Sequence, residues 1–231
     1  MPPRRRSLAA VLLCLGLVAA ACTGDEDAES TTSPEEVMAE VKQTLDETSG
    51  VRLRLATGEL PSNVQGITEA SGVAVHPAGF EGTITASVNG IPVEVDVLAT
   101  DGKVWIKFLT PTYQEADPAD YGAPDPARLM ATEGGFSDLL VATEDLARGE
   151  QVRGGANNEE ILTEYTGTVP GELATTVIPS ASGDFDAAYT VTEDGELRRA
   201  TLTGEFYPGA GSMTYTLDFN DYGLEQDISA P

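Results

Sequence analysis

The chain of 231 residues predicts an α+β fold, with helices laid against one face of a curved antiparallel sheet. Three observations lead there. Several segments alternate apolar and polar residues with a period of two, as expected of antiparallel strands with one face covered and one wet. Tight-turn dipeptides, Asn89-Gly90 and Asp101-Gly102, join neighbouring segments of this kind. Helical and strand signals come in separate runs rather than alternating along the chain, which argues against a parallel α/β sheet.

The first segment is an address rather than a fold. Arg4, Arg5 and Arg6 form a basic start, followed by an apolar run from Leu8 to Val18. That is signal-peptide length and short of the roughly 20 apolar residues of a membrane-spanning helix. Val18-Ala19-Ala20-Ala21-Cys22 then resembles a bacterial lipobox, although Ala19 stands where such motifs usually carry Leu. Residues 1–21 are therefore expected to be a lipoprotein-type signal peptide and Cys22 the lipid anchor. Cleavage there removes three Arg and no acid, leaving 10 basic and 38 acidic residues, a net charge of −28. Cys14 leaves with the leader, so neither a disulfide nor a cysteine-based metal site is available. Residues 22–33 are acidic and free of large apolar side chains, and read as an extended tether.

Residues 34–231 read as a single domain. Ser33-Pro34-Glu35-Glu36 has the form of a helix start, with Ser as the cap, Pro in the first turn and Glu three residues on. Val37, Met38, Val41 and Leu45 make one apolar stripe, and Gly50 ends it. From Val51 the period becomes two. Val51, Leu53 and Leu55 alternate with Arg52 and Arg54, and Phe80, Ile84, Ala86 and Val88 share one parity before the Asn89-Gly90 turn. Val93, Val95 and Val97 follow, then Val104, Ile106 and Phe108, giving about five strands before the helices. Leu129 and Met130, then Phe136, Leu139, Leu140 and Leu146, suggest two short helices split by Gly134-Gly135. A strand at 160–168, a helical turn near 171–178 and strands at 186–193, 197–207 and 213–220 complete the order.

Chemistry is sparsely signalled. The acidic excess excludes a nucleic-acid partner, which would require clustered Lys and Arg. His76, the single imidazole, precedes Pro77 in a turn and has no nucleophile motif to serve. No metal-ligand spacing and no phosphate-binding glycine loop occurs, so neither a metal nor a cofactor is expected and the chain does not read as an enzyme.

Asn89-Gly90, the run from Val93 to Asp101-Gly102, Val104 to Leu109-Thr110-Pro111, Tyr121, Asp125-Pro126-Ala127, and Leu139 with Leu140 together resemble the LppX/LprAFG family of actinobacterial lipoproteins. The resemblance implies a half-barrel antiparallel sheet with helices on its concave face, similar to the LolA/LolB lipoprotein carriers. It also implies an apolar cavity for the acyl chains of glycolipids or other complex lipids. The expected role is a lipid carrier on the extracytoplasmic face of the cell membrane, held there by Cys22, with an envelope transporter as a possible type of partner. Ile84, Ala86, Val88, Val93, Val95 and Val97 would line that cavity from the sheet, and Leu139 and Leu140 from the helices. Of these, Ile84 falls at a family position on the wall. Anionic head groups would require Arg52, Arg54, Lys103, Lys107, Arg198 or Arg199 at the entrance. Periodicity alone leaves a second reading open, in which the same residues close a solid core and the protein is an anchored interaction or accessory module.

Overall fold

The computed structural model describes residues 32–231 apart from 59, 62, 63, 122, 156 and 157. The leader, Cys22 and the tether up to residue 31 lie outside the described residues.

Helix α1 (Pro34–Glu47) begins with a reciprocal cap. The Glu36 amide donates to Ser33 Oγ at 3.2 Å, and the Ser33 amide donates to Glu36 Oε2 at 3.0 Å. The cap satisfies two of the amides that a helix start leaves unpaired. Met38, Val41 and Leu45 are fully buried, so the stripe in the sequence is the face that packs.

The strands are β1 (Gly50–Thr57), β2 (Gly66–Val75), β3 (Gly79–Val88), β4 (Ile91–Thr100), β5 (Lys103–Lys107) and β6 (Gln114–Ala116). After the helical stretch come β7 (Glu144–Gly154), β8 (Glu160–Val169), β9 (Ser182–Thr192), β10 (Leu197–Glu205) and β11 (Met213–Asn220). All eleven form one antiparallel sheet in the order β6-β5-β4-β3-β2-β1-β11-β10-β9-β8-β7. The first and last strands pair in the middle, and each half of the sheet is a simple meander outward. Asn89 and Gly90 both take positive φ (52° and 76°), the backbone a two-residue hairpin turn requires, and Val88 pairs with Ile91 across it.

Strands about 4.8 Å apart would make a flat sheet of this kind nearly 50 Å wide. Its two arms nevertheless share one buried cluster with the helices, because the sheet curls around them. The helical layer on the concave side is built from α1, 3₁₀ turns at Pro118–Tyr121 and Pro126–Met130, α2 (Phe136–Ala142) and α3 (Gly171–Val177). Lys42 ties α1 to α2. Its ammonium lies 2.8 Å from Asp46 Oδ2 and 2.9 Å from Asp138 Oδ1, and it donates to Ser137 Oγ, which in turn donates to Asp46.

The structure departs from the sequence reading in three places. Leu146 belongs to edge strand β7 rather than to a helix. Most residues of β7 are exposed, so they carry no alternation to read. The segment around Leu129 and Met130 is a single 3₁₀ turn capped by Asp125. Six strands precede the helices, because β2, rich in small residues and shifted in register between Ile67 and Glu69, and the three-residue β6 have no clear period.

Candidate functional site

The residues that face the helices lie in cross-strand rows, and one row crosses most of the sheet. Val95 pairs with Ile84, Ile84 with Ala70, Ala70 with Leu55, Leu55 with Leu217, Leu217 with Ala200, and Ala200 with Tyr189. Directly paired residues of an antiparallel sheet share a face, so this row is the floor on which the helical layer rests. Ala70 and Ala200 are its short rungs. Between them the floor and the layer above do not meet, leaving a cavity of about 130 Å³.

The sheet side of that cavity carries Leu53 and Leu55, Ile67 and Ala70, Phe80 and Ile84, with Leu202, Tyr215 and Leu217 from the other arm. Pro124, Pro126, Leu129, Phe136, Val177 and Ile178 close it from the helical side. Ser71 and two tyrosine hydroxyls are its polar side-chain groups, and the hydroxyls are already engaged. The Ile67 amide donates to Tyr207 Oη at 3.1 Å, Tyr207 and Tyr215 are in hydroxyl contact at 3.2 Å, and Tyr215 donates to the Ile67 carbonyl. Ile67 lies beside the β2 register shift and beyond the last β1–β2 pair, Ala56 with Glu69, so the two phenols take up its backbone groups. Burial, with the Tyr207 contact, pushes the Tyr215 hydroxyl well above its usual range. The wall is therefore dry in the sense that matters for an apolar guest: its polar atoms are already paired.

A wider and more polar recess of about 750 Å³ adjoins this cavity. Pro124, Leu129 and Val177 line both and form the threshold between them. The polar side is lined by Lys103, Glu115, Asp117, Asp125 and Arg128.

Of the residues expected on the wall, Ile84 is there. Val95 and Val97 face the same side but pack beyond the cavity. Val97 is 3% exposed, Val95 is half-buried, and neither lines the space. Ala86 and Val93 are half-buried further out, and Val88 is 39% exposed beside the turn. The parity is right, but the β3–β4 hairpin extends past its cover, and Ile91 at its tip is 64% exposed. Leu139 and Leu140 are fully buried inside the packing of α2 and do not reach the cavity. The wall residues not anticipated come from β1, β2, β10, β11 and the turn regions. Two alanines in phase with large apolar neighbours are the sequence signal that could have found the floor. His76 Nε2 lies 3.0 Å from the Leu45 carbonyl, fastening the end of β2 to α1.

The six cations considered for the entrance are all in ion pairs. Arg52 meets Asp221, Arg54 Glu69, Lys103 Glu115, Lys107 Asp96, Arg198 both Glu160 and Glu196, and Arg199 Asp218, at 2.6 to 4.0 Å. Only Lys103 among them touches the polar recess.

The family model described as LppX_LprAFG lipoprotein matches residues 33–228, which takes in the whole sheet, the helical layer and both recesses. The chain belongs to the LppX/LprAFG lipoprotein family. Among solved structures, LprF from Mycobacterium bovis superposes with a TM-score of 0.68 at 13% identity, covering 87% of this chain and 99% of that one. LppX from Mycobacterium tuberculosis superposes at 0.57 with 18% identity, covering 85% and 100%. A search of the curated proteins finds no match. At such identities the LppX/LprAFG likeness fixes the architecture, an open antiparallel sheet around helices, and leaves the wall residues to be read from this chain itself.

Proposed function

We propose that the protein is a membrane-anchored lipid carrier, which takes acyl chains of glycolipids or other complex lipids into the apolar cavity and moves them between layers of the cell envelope. Cys22 is its anchor, on the extracytoplasmic face. The observation that carries this reading is the gap over Ala70 and Ala200, walled by apolar side chains and opening toward a polar recess. Each methylene withdrawn from water contributes about 0.8 kcal/mol, so a long acyl chain requires on the order of 10 kcal/mol of apolar shelter to leave a bilayer. An apolar wall supplies that without any charged group, which fits a carrying rather than a catalytic role.

The cavity as it stands is close in size to the ~150 Å³ void that holds a benzene ring in another protein. It fits the end of a chain, and the rest must enter by parting the wall. The helical side is the one able to part. It is made of Pro124, a 3₁₀ turn and two seven-residue helices, whereas the sheet side is held by continuous ladders. The test is direct: the full chain carrying Cys22→Ser is purified from an actinobacterial host and its bound lipid extracted and identified by mass spectrometry. Near-stoichiometric lipid is expected; repeated preparations free of lipid would sink the proposal.

A further inference from the structure

Ten Lys and Arg lie in the described part of the chain, and seven of them are in ion pairs. Arg128, Arg148 and Arg153 are not, and of the three only Arg128 lines a recess. In a chain this acidic, a guanidinium without a carboxylate partner is conspicuous. Asp125 lies only three residues away, yet it accepts the Ala127 amide at 3.0 Å as the cap of the 3₁₀ turn. The other acids of the recess are engaged as well. Glu115 holds Lys103 at 2.9 Å, and Asp117 Oδ1 accepts the Ala119 amide at 2.9 Å. Asp117 and Asp125 each use one carboxylate oxygen in these bonds and keep the other as an acceptor.

The recess therefore offers one unpaired cation and two carboxylates with open acceptor oxygens. Leu129, the next residue after Arg128, stands on the threshold to the apolar cavity. Consecutive residues thus place a charge on the polar side and a hydrocarbon at the entrance to the greasy side.

We propose that this recess is the head-group site, and that it takes a lipid whose head group carries a single negative charge and hydroxyl groups, a polyol phosphodiester, with Arg128 on the phosphate and Asp117 and Asp125 accepting from the hydroxyls. The proposal rests on the lipid-carrier reading given above. A guanidinium matches a phosphate with parallel N–H donors, whereas a doubly charged phosphate monoester would face two carboxylates with one cation to offset them. A neutral head group would leave Arg128 without a use.

The experiment uses the full chain with Cys22→Ser, delipidated, and equilibrium binding of phosphatidylglycerol and of diacylglycerol with the same acyl chains. Wild type should prefer phosphatidylglycerol. Arg128→Gln should lower the ratio of the two affinities about tenfold, the scale of one charge-assisted hydrogen bond open to water. Arg128→Lys, which keeps the charge, should recover most of it. Arg128 is exposed, so these variants keep the fold. An unchanged ratio in Arg128→Gln overturns the head-group assignment and leaves the cavity reading standing. Failure of wild type to bind either lipid overturns both. Two further probes complete the set: phosphatidic acid at pH 8 should bind more weakly than phosphatidylglycerol, and tighter binding would refute the single-charge requirement. Soluble glycerophosphoglycerol binding as tightly as the lipid would show that a free phosphodiester, not a lipid, is the guest.

Discussion

Tyr207 and Tyr215 meet hydroxyl to hydroxyl at 3.2 Å at one end of the cavity, and between them they satisfy both backbone groups of Ile67. Tyr215→Phe keeps the ring and removes the donor to the Ile67 carbonyl. An unpaired buried acceptor costs about 1–3 kcal/mol. The urea midpoint should fall accordingly with an unchanged slope, and a loss below a few tenths of a kcal/mol would mean that water reaches this corner.

Tyr189 provides an alkaline test. It is fully buried and bonded to Thr143 Oγ1 at 2.9 Å, and Thr143 itself donates to the Leu139 carbonyl at 2.7 Å. The phenol must therefore be the donor, and burial pushes its pKa up to about 12. The unfolded chain releases this proton near pH 10, two units earlier, so the native state binds more protons in between and stability falls as pH rises. The expected slope from this group is about 1.4 kcal/mol per pH unit between pH 10 and 12. Thermal melts of Tyr189→Phe over the same range should show a slope smaller by that amount.

Lys42 links two helices through two carboxylates and a buried serine, so Lys42→Met should cost about 1–2 kcal/mol, as for a partly buried pair that loses one partner. Acid adds a second readout. Burial alone would raise the Asp138 carboxyl, but hydrogen bonds from Lys42 and the Gly134 amide hold it below the usual carboxylate range. Its contribution is present above about pH 4 and disappears as pH falls through the depressed value. Denaturant curves of the variant should lack that part of the acid loss.

Wall and packing residues separate by their signatures. Ala70→Phe projects a ring into the gap over one of the short rungs, so stability should stay within about 1.5 kcal/mol while co-purifying lipid drops at least about tenfold. Leu140→Ala should do the reverse. It empties a fully buried site in α2 at a cost of about 2–5 kcal/mol, and bound lipid per folded molecule should hold. Lipid extraction alongside a melting curve checks both variants.

Much of the frame is legible in the chain itself. The capped start at Ser33, the one-parity residues of β3 and β4, and the positive-φ turn at Asn89-Gly90 are local signals that tertiary packing reinforces. Strand β7 is not legible, because an exposed edge imposes no alternation on its residues. The cavity is not legible for a different reason. A strand period reports which side a residue faces, and the gap depends on Ala70 and Ala200, far apart in sequence, falling in one row once β1 and β11 pair between them. The helical wall is harder still, since Pro124, Leu129, Val177 and Ile178 sit in turns and helix ends without a period. Arg128 escapes notice because seven other cations must first find their acids before it stands out.

The pairing of β1 with β11 also sets an order of events. Leu55 and Leu217, on opposite banks of that seam, both line the cavity. A polypeptide leaving the ribosome therefore has its first bank almost from the outset and its second only when synthesis is nearly over. Until then there is no vessel, merely two unconnected shores, so this molecule cannot pick up cargo as a half-made chain. Any clipping that removed its final strand would spill what it holds, even with most of the remaining framework intact.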